Sequence, residues 1–222
     1  MKKFPSIDQY RNVIKQVKLK HDYQGKDEEG NPVYKHLSDY PKLDFLGTVK
    51  LHGTNAAIVK YVNGEIDFQS RERVLTLEQD NAGFMLSMKS KNLDFLWEKF
   101  NPENHVAIYG EWCGKGIQKG VAISELPVKK FVIFGVKVDD SWVHFSSNLC
   151  DNTQDIYNVL QFPTYKVEID FQNPELIQNK LIDLTIQVEE ECPVGKAFGI
   201  SGIGEGIVFT CVNDLDLKFK SK

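Results

Sequence analysis

"GTVKLHGTNAAIVKYVNGEIDFQSR", Gly47 to Arg71, is the stretch on which the fold turns. An apolar run ending at Val49 is interrupted by a lysine and a tight polar His-Gly-Thr-Asn segment, after which a second apolar run begins at Ala56. Asn63-Gly64 is a strong short-range hairpin signal. A two-residue turn there pairs Val62 with Glu65 and, counting back, Ala56 with Arg71. Arg71 is therefore expected beside the start of the strand that leaves His-Gly-Thr-Asn. Asn55, Ala57, Val59, Tyr61, Ile66 and Phe68 are expected to share the other, mostly apolar face.

Strand signals recur at 45–50, 55–62, 65–70, 105–111, 131–138, 142–145, 206–212 and 215–220. Residues 7–14 show helical spacing (Ile7, Tyr10, Val13, Ile14) after Ser6 as a cap candidate. Residues 79–100 read as helix-like. "NPELIQNKLIDLTIQ" reads as a clearer helix, with Asn173 as cap and Pro174 in the first turn. Residues 21–42 are polar, carry Gly25, Gly30 and Pro32, and read as loop or short irregular strand. Antiparallel hairpins with intervening helices predict an α+β domain and not a doubly wound parallel sheet. A second hairpin is expected at Asn213-Asp214, pairing Val212 with Leu215. That register predicts a core face of Val208, Thr210, Val212, Leu215, Leu217 and Phe219. Glu205, Ile207, Phe209, Lys218 and Lys220 would lie on the other face, so that one carboxylate and two lysines converge.

With 222 residues, 41% of them hydrophobic, the chain can bury one sizeable core, and a single domain over 1–222 is expected. The net charge of -4 means that any nucleic-acid footprint must be local. Lysine-rich patches occur in "KQVKLKH", "KSK", "VKK" and "LKFKSK"; the first three read best as solvated surface. Cys113, Cys150, Cys192 and Cys211 show no metal-ligand spacing and read as free thiols of a reducing compartment. No signal peptide or membrane-spanning run is visible, so an intracellular, cytoplasmic protein is expected, a viral protein acting in a host cytoplasm included. "GISGIGEGIV" has a Gly-x-Gly pattern, but a strand follows it, so a dinucleotide fingerprint fails its context test. "GEWCGKG" has the wrong spacing for a P-loop.

Four segments line up in order: "KLHGTN" (50–55), "IYGEWCGKGIQKG" (108–120), "EGIVF" (205–209) and "KFK" (218–220). Together they resemble the covalent nucleotidyltransferase superfamily of DNA ligases, RNA ligases and capping enzymes. His-Gly-Thr-Asn after the lysine and "GKGIQK" after Glu111 are similar to the RNA ligase 2 branch with the RNA-editing ligases. The resemblance runs from about 46 to 220, and implies an ATP-grasp-like ligase fold: an adenylyltransferase domain of antiparallel sheets flanked by helices.

The chemistry it implies fits the residue types. A lysine amine attacks the α-phosphorus of ATP and forms a lysyl-AMP, which requires the amine to be activated by neighbouring charge or desolvation. By resemblance Lys50 is that nucleophile, with Leu51 beside it in the nucleotide site and Gly53 permitting the turn that aims it. Arg71 contacts the ribose side and the RNA end, Glu111 holds the ribose hydroxyls, and Phe134 stacks on adenine. Glu205 works with a divalent metal, magnesium or manganese, and is counted as catalytic. Lys218 and Lys220 contact the phosphates and stabilise the charge of the transition state. His52 and Asn55 act on the RNA end, Asn55 also in the nucleotide site.

Each of these residues also has a plain structural reading: surface lysine, turn histidine, ion-paired carboxylates, core phenylalanine. Their order and spacing together favour the functional one. The implied activity is ATP-dependent joining of RNA 3′-hydroxyl and 5′-phosphate ends. Alternatives are a DNA nick ligase, a capping-type guanylyltransferase, or a non-catalytic module that binds a nucleotide or an RNA end. Two departures bear on this. Family members often carry glutamate before the lysine, where this chain has Val49, so ATP selectivity must rest on other groups. No C-terminal RNA-binding domain is expected after Lys222, so nick sealing is expected to be weak or to need a missing domain or partner.

Overall fold

The computed structural model describes residues 1–36 and 38–222; one position of the expected 21–42 loop, residue 37, lies outside them. In chain order the strands are β1 (Asp8–Gln9), β2 (Tyr23–Lys26), β3 (Pro32–Tyr34), β4 (Lys42–Val49), β5 (Thr54–Tyr61), β6 (Ile66–Ser70) and β7 (His105–Cys113). They continue with β8 (Lys130–Val138), β9 (Ser141–Val143), β10 (Ile156–Asn158), β11 (Thr164–Asp170), β12 (Ile207–Cys211) and β13 (Lys218–Ser221). The α-helices are α1 (Tyr10–Asp22), α2 (Phe84–Lys89), α3 (Gln178–Glu190) and α4 (Pro193–Ala197).

Two sheets carry the fold. The first runs β1-β13-β12-β4-β11, and the second runs β10-β8-β7-β5-β6 with β9 added on β8. Most pairs are antiparallel; β1 with β13 and β10 with β8 are parallel. β4 belongs to the first sheet and β5 to the second, so Lys50 to Gly53 is the link that carries the chain from one sheet to the other. The expected mixed α+β architecture is the one observed.

Alternation decides which side chains enter which layer. Phe45, Val49, Ile207, Phe209 and Phe219 point from the first sheet into a core shared with Val13 and Val17 of α1 and Leu181 and Val188 of α3. Phe209 and Phe219 are cross-strand partners and stack at 5.0 Å. From the second sheet, Ala56, Ile58, Phe68, Ile108, Phe131 and Ile133 pack on Phe84 and Met88 of α2. Ala57, Val59, Ala107 and Tyr109 form a third, smaller cluster on the opposite face. Among the described residues no helix is long and apolar enough to cross a membrane.

Both hairpins differ by one residue from their expected register. At Asn63-Gly64 the observed pairs are Lys60 with Ile66 and Ala56 with Ser70. The loop is Val62-Asn63-Gly64, closed by Gly64 N–H donating to the Tyr61 carbonyl, with Gly64 at φ +91°. A third loop residue ending in the left-handed region replaces the two-residue turn. Phe68 and Ile66 therefore lie with Ala56 and Ile58, on the face opposite Ala57 and Val59. In the last hairpin the pairs are Val208 with Lys220, Phe209 with Phe219 and Thr210 with Lys218. Ile207, Phe209 and Phe219 take the core, while Val208 and Thr210 join the two lysines.

The helices differ too. α1 begins at Tyr10, and Ser6 does not cap it. It runs to Asp22, and β2 and β3 form a two-stranded ribbon within the polar stretch that follows. Residues 79–100 contain only α2 and a 3₁₀ turn at Asp94–Leu96, because Ala82 and Gly83 both adopt positive φ and stop a longer helix from starting upstream. Asn173 makes no side-chain cap; Pro174–Ile177 is a 3₁₀ turn leading into α3. β10 and β11 were not expected at all.

Candidate active site

The link between the sheets opens into a cleft of about 440 Å³. One wall is the inner row of the first sheet: Thr48, Lys50, Val208, Thr210, Lys218 and Lys220. The facing wall, from the second sheet, carries Asn55, Arg71, Glu111 and Phe134. Leu51 and Gly53 form the bend between them.

Lys50 is placed by backbone pairing. Its N–H donates to the Gly206 carbonyl at 2.8 Å, continuing the β4–β12 ladder one step beyond Val49. Glu205 thereby stands next to it, and Lys50 Nζ lies 2.5 Å from Glu205 Oε1. Gly206 has φ +124°, and a Cβ there would collide with the Ser221 carbonyl oxygen. Only glycine lets the chain turn from Glu205 into β12 at this point. Glu205 also meets Lys222 Nζ at 3.4 Å and His52 Nδ1 at 3.5 Å. Its Oε2 is buried and accepts no hydrogen bond among the described residues.

Gly53 has a different role from the expected one. Its φ is not in the left-handed region, but a Cβ would collide with the Trp112 carbonyl oxygen and crowd Cys113. The position demands close approach, and that approach lets Gly53 N–H donate to Glu111 Oε1 at 2.8 Å. Gln118, from the "GKGIQK" loop, holds the same residue from the other side through the Gly53 carbonyl at 3.2 Å. Desolvation pushes the Glu111 carboxyl up to about 7, against the Gly53 N–H and the nearby Lys50 charge, which pull it down.

Asn55 pairs with Glu111 across β5–β7, and Arg71 follows Ser70, the last residue of β6, in the turn that Ser70 N–H closes on the Arg73 carbonyl. Asn55, Glu111 and Arg71 all line the cleft. Arg71 donates from Nη2 to Ser6 Oγ at 3.3 Å. Phe134 sits at a β-bulge. Tyr109 pairs with Gly135 and Gly110 with Ile133, leaving Phe134 as the extra residue of β8. The bulge re-aims its ring toward the cleft.

Lys218 Nζ lies 4.2 Å from the centre of the Trp142 ring, buried and without a hydrogen-bond partner among the described residues. Desolvation holds its amine down at about 8, helped by Lys137 and opposed by Asp216 and Asp214. His52 does not line the cleft and meets the site through Glu205. All the other expected site residues line it except Glu205, which reaches it by its contact with Lys50.

Several cleft residues were not expected in the site: Phe4, Thr48, Val159 and Lys222, with Ser6, read as a helix cap, and Thr210, read as core. Lys222 was detectable, because Lys218, Lys220 and Lys222 alternate on one face of a strand. Phe4 and Ser6 had no such signal, since they reach the cleft through tertiary packing.

Among the described residues no three His, Cys, Asp or Glu side chains cluster as a ready-made metal site. Glu205, whose Oε2 makes no hydrogen bond among the described residues and has His52 Nδ1 at 3.5 Å, fits a hard cation that takes one carboxylate from the protein and completes its shell with phosphate oxygens and water.

Known proteins with this fold carry the comparison further. A chain of the Naegleria gruberi RNA ligase, a lysine-to-methionine mutant with AMP and manganese, superposes with a TM-score of 0.60 at 17% identity, covering 100% of this chain and 55% of that one. An aspartate-to-alanine mutant of the same ligase, without ligand, gives 0.63 at 18% identity over 99% of this chain and 55% of that one. A lysine-to-alanine mutant with ATP and manganese gives 0.59 at 18% identity, over 98% and 55%. This chain thus spans about half the length of the ligase chains whose fold it shares. No match is found among curated proteins. The family model described as RNA ligase matches residues 43–222, most of the chain, and the protein belongs to the RNA ligase family.

Proposed function

We propose that this domain is the nucleotidyltransferase of an ATP-dependent RNA ligase, working through a lysyl-AMP intermediate. The observation that carries the reading is the Lys50–Glu205 contact at the joint of the two sheets, with Glu111, Phe134, Lys218 and Lys220 around one cleft. The Naegleria ligase structures with ATP, AMP and manganese support nucleotide and divalent-metal use by the same fold.

In the first step the Lys50 amine attacks the α-phosphorus of ATP. The N–P bond forms, the bond to the β-phosphate oxygen breaks, pyrophosphate leaves with the electron pair, and the amine gives up its proton. Glu205 stands at that nitrogen. Lys218 and Lys220 face the growing phosphoryl charge from β13, where fixed cations in a poorly solvated wall are worth more than in water. Glu111, with one oxygen held by Gly53 N–H, offers the other to ribose hydroxyls, and Phe134 offers a stacking face to the base. A divalent ion, magnesium or manganese, supplies charge neutralisation on the phosphates when bound, with Glu205 as its protein ligand.

In the second step a 5′-phosphate oxygen of RNA attacks the same phosphorus and releases Lys50, giving AMP-capped RNA. In the third, a 3′-hydroxyl attacks the 5′-phosphate and AMP leaves. The RNA end is assigned to Arg71 and Asn55, which line the facing wall, and to His52, which contacts Glu205.

A test with synthetic RNA separates the steps. Lys50→Ala is expected to abolish sealing of 5′-phosphate RNA with ATP, yet still seal RNA that already carries the 5′-AMP cap, because the third step needs no nucleophilic lysine. Sealing with ATP by the variant would overturn the assignment. Covalent labelling by GTP in place of ATP would move the reading to a capping enzyme.

A further inference from the structure

Residues 2–9 form a strap that the chemistry above does not use. At one end β1 pairs with β13, Asp8 against Phe219 and Gln9 against Lys220. At the other, the Lys2 backbone N–H donates to Gln69 Oε1 at 2.9 Å, and Lys2 Nζ pairs with Asp140 at 2.8 Å. The strap therefore ties the sheet that carries Lys218 and Lys220 to the sheet that carries Glu111 and Phe134. Between its anchors, Phe4, Pro5, Ser6 and Ile7 line the cleft.

Phe4 is the centre of this arrangement. Its ring lies 4.9 Å from Phe134, edge to face at 69°, and 5.5 Å from both Tyr109 and Trp142. Phe134 is the bulged residue of β8, so it lacks the flanking ladder partner that fixes an ordinary strand side chain. Its ring packs against the main core and the small cluster around Tyr109, and Phe4 adds the edge-to-face contact on the cleft side. Ser6, two residues on, accepts from Arg71 on the same wall.

We propose that Phe4 is a positioning residue for nucleotide binding, buttressing Phe134 in the orientation that stacks the base. The proposal rests on the reading of Phe134 as the base platform. Phe4 reaches the nucleotide through Phe134 and takes no part in phosphoryl transfer, so its loss weakens ground-state and transition-state binding alike.

The experiment is single-turnover formation of the AMP adduct against ATP concentration, with circular dichroism to verify folding. Phe4→Ala is expected to raise the half-saturating ATP concentration between about twofold and tenfold, the range of one aromatic edge-to-face contact, with the maximal rate held within about twofold. Phe4→Tyr, which keeps the ring, restores the wild-type value. Combined with Phe134→Ala, Phe4→Ala adds nothing further, because the platform is already gone.

An unchanged ATP dependence with only a lower melting temperature would make the strap merely structural and overturn the proposal. A tighter ATP dependence would overturn it too, as it would mean that Phe4 obstructs the site. Additive effects in the double variant would deny that Phe4 acts through Phe134. If wild type forms no adduct, the ligase reading fails separately, and calorimetric ATP affinity across the same variants then decides the proposal.

Discussion

Lys218 shows how a single residue is held at a disadvantage for a task. Its amine is buried against Trp142 without a hydrogen-bond acceptor among the described residues, and desolvation holds it down at about 8. The unfolded chain binds this proton up to about pH 10.5, whereas the folded one releases it near 8. The group's contribution to stability is therefore unfavourable at pH 7, and it rises as pH climbs through that window. Lys218→Met is expected to melt higher than wild type at pH 7, by about 1 kcal/mol once the partial exposure of the side chain is discounted. That advantage should shrink above pH 8, while adduct formation falls at least about tenfold with the loss of a fixed cation. Thermal melts at pH 7 and 10, beside an adduct assay, check both halves. A destabilised variant at pH 7 would contradict the desolvation account. Glu111 has the complementary condition: with its carboxyl at about 7, it ionises fully only above neutrality, where it becomes an acceptor alone.

At the scale of elements, the site is built where backbones approach too closely for side chains. Gly53→Ala is expected to cost about 1–3 kcal/mol by overpacking against Trp112 and Cys113, and to lower adduct yield by breaking the Gly53–Glu111 hydrogen bond. A chemical denaturation curve and the adduct assay read the two effects, and a variant as stable and active as wild type would refute the close-approach argument. Most of the longer strands were legible from alternation, β11 excepted, but the hairpin registers were not. Asn63-Gly64 announces a hairpin without announcing how many residues close it, and one added loop residue exchanges the two faces of β6. The last hairpin slipped by one residue in the opposite direction, so Phe209 proved to be core while Thr210 lines the cleft. Residues 79–100 misled in another way. Their apolar spacing suits a helix, yet they serve as a cap on the second sheet through Phe84, Met88 and Leu96, and most of the stretch needs no regular structure to do so.

For the whole molecule, the residues that line the cleft come from distant parts of the chain, and their convergence follows from one fact: β4 and β5 lie in different sheets. The sequence showed a lysine and a polar bend interrupting two strands, and that interruption is the joint around which both sheets face each other. Lys50, Glu111 and the late lysines were readable because their spacing within short motifs is local. The bulge at Phe134 and the strap at Phe4 were not, because both depend on which strands become neighbours. The central claim is that the cleft at this joint performs covalent nucleotidyl transfer on Lys50. Intact-protein mass spectrometry after incubation with ATP and magnesium, followed by peptide mapping, tests it most directly. The expected result is a gain of one AMP located on Lys50 and absent from Lys50→Ala. An unmodified protein, or an adduct on any other residue, would contradict it.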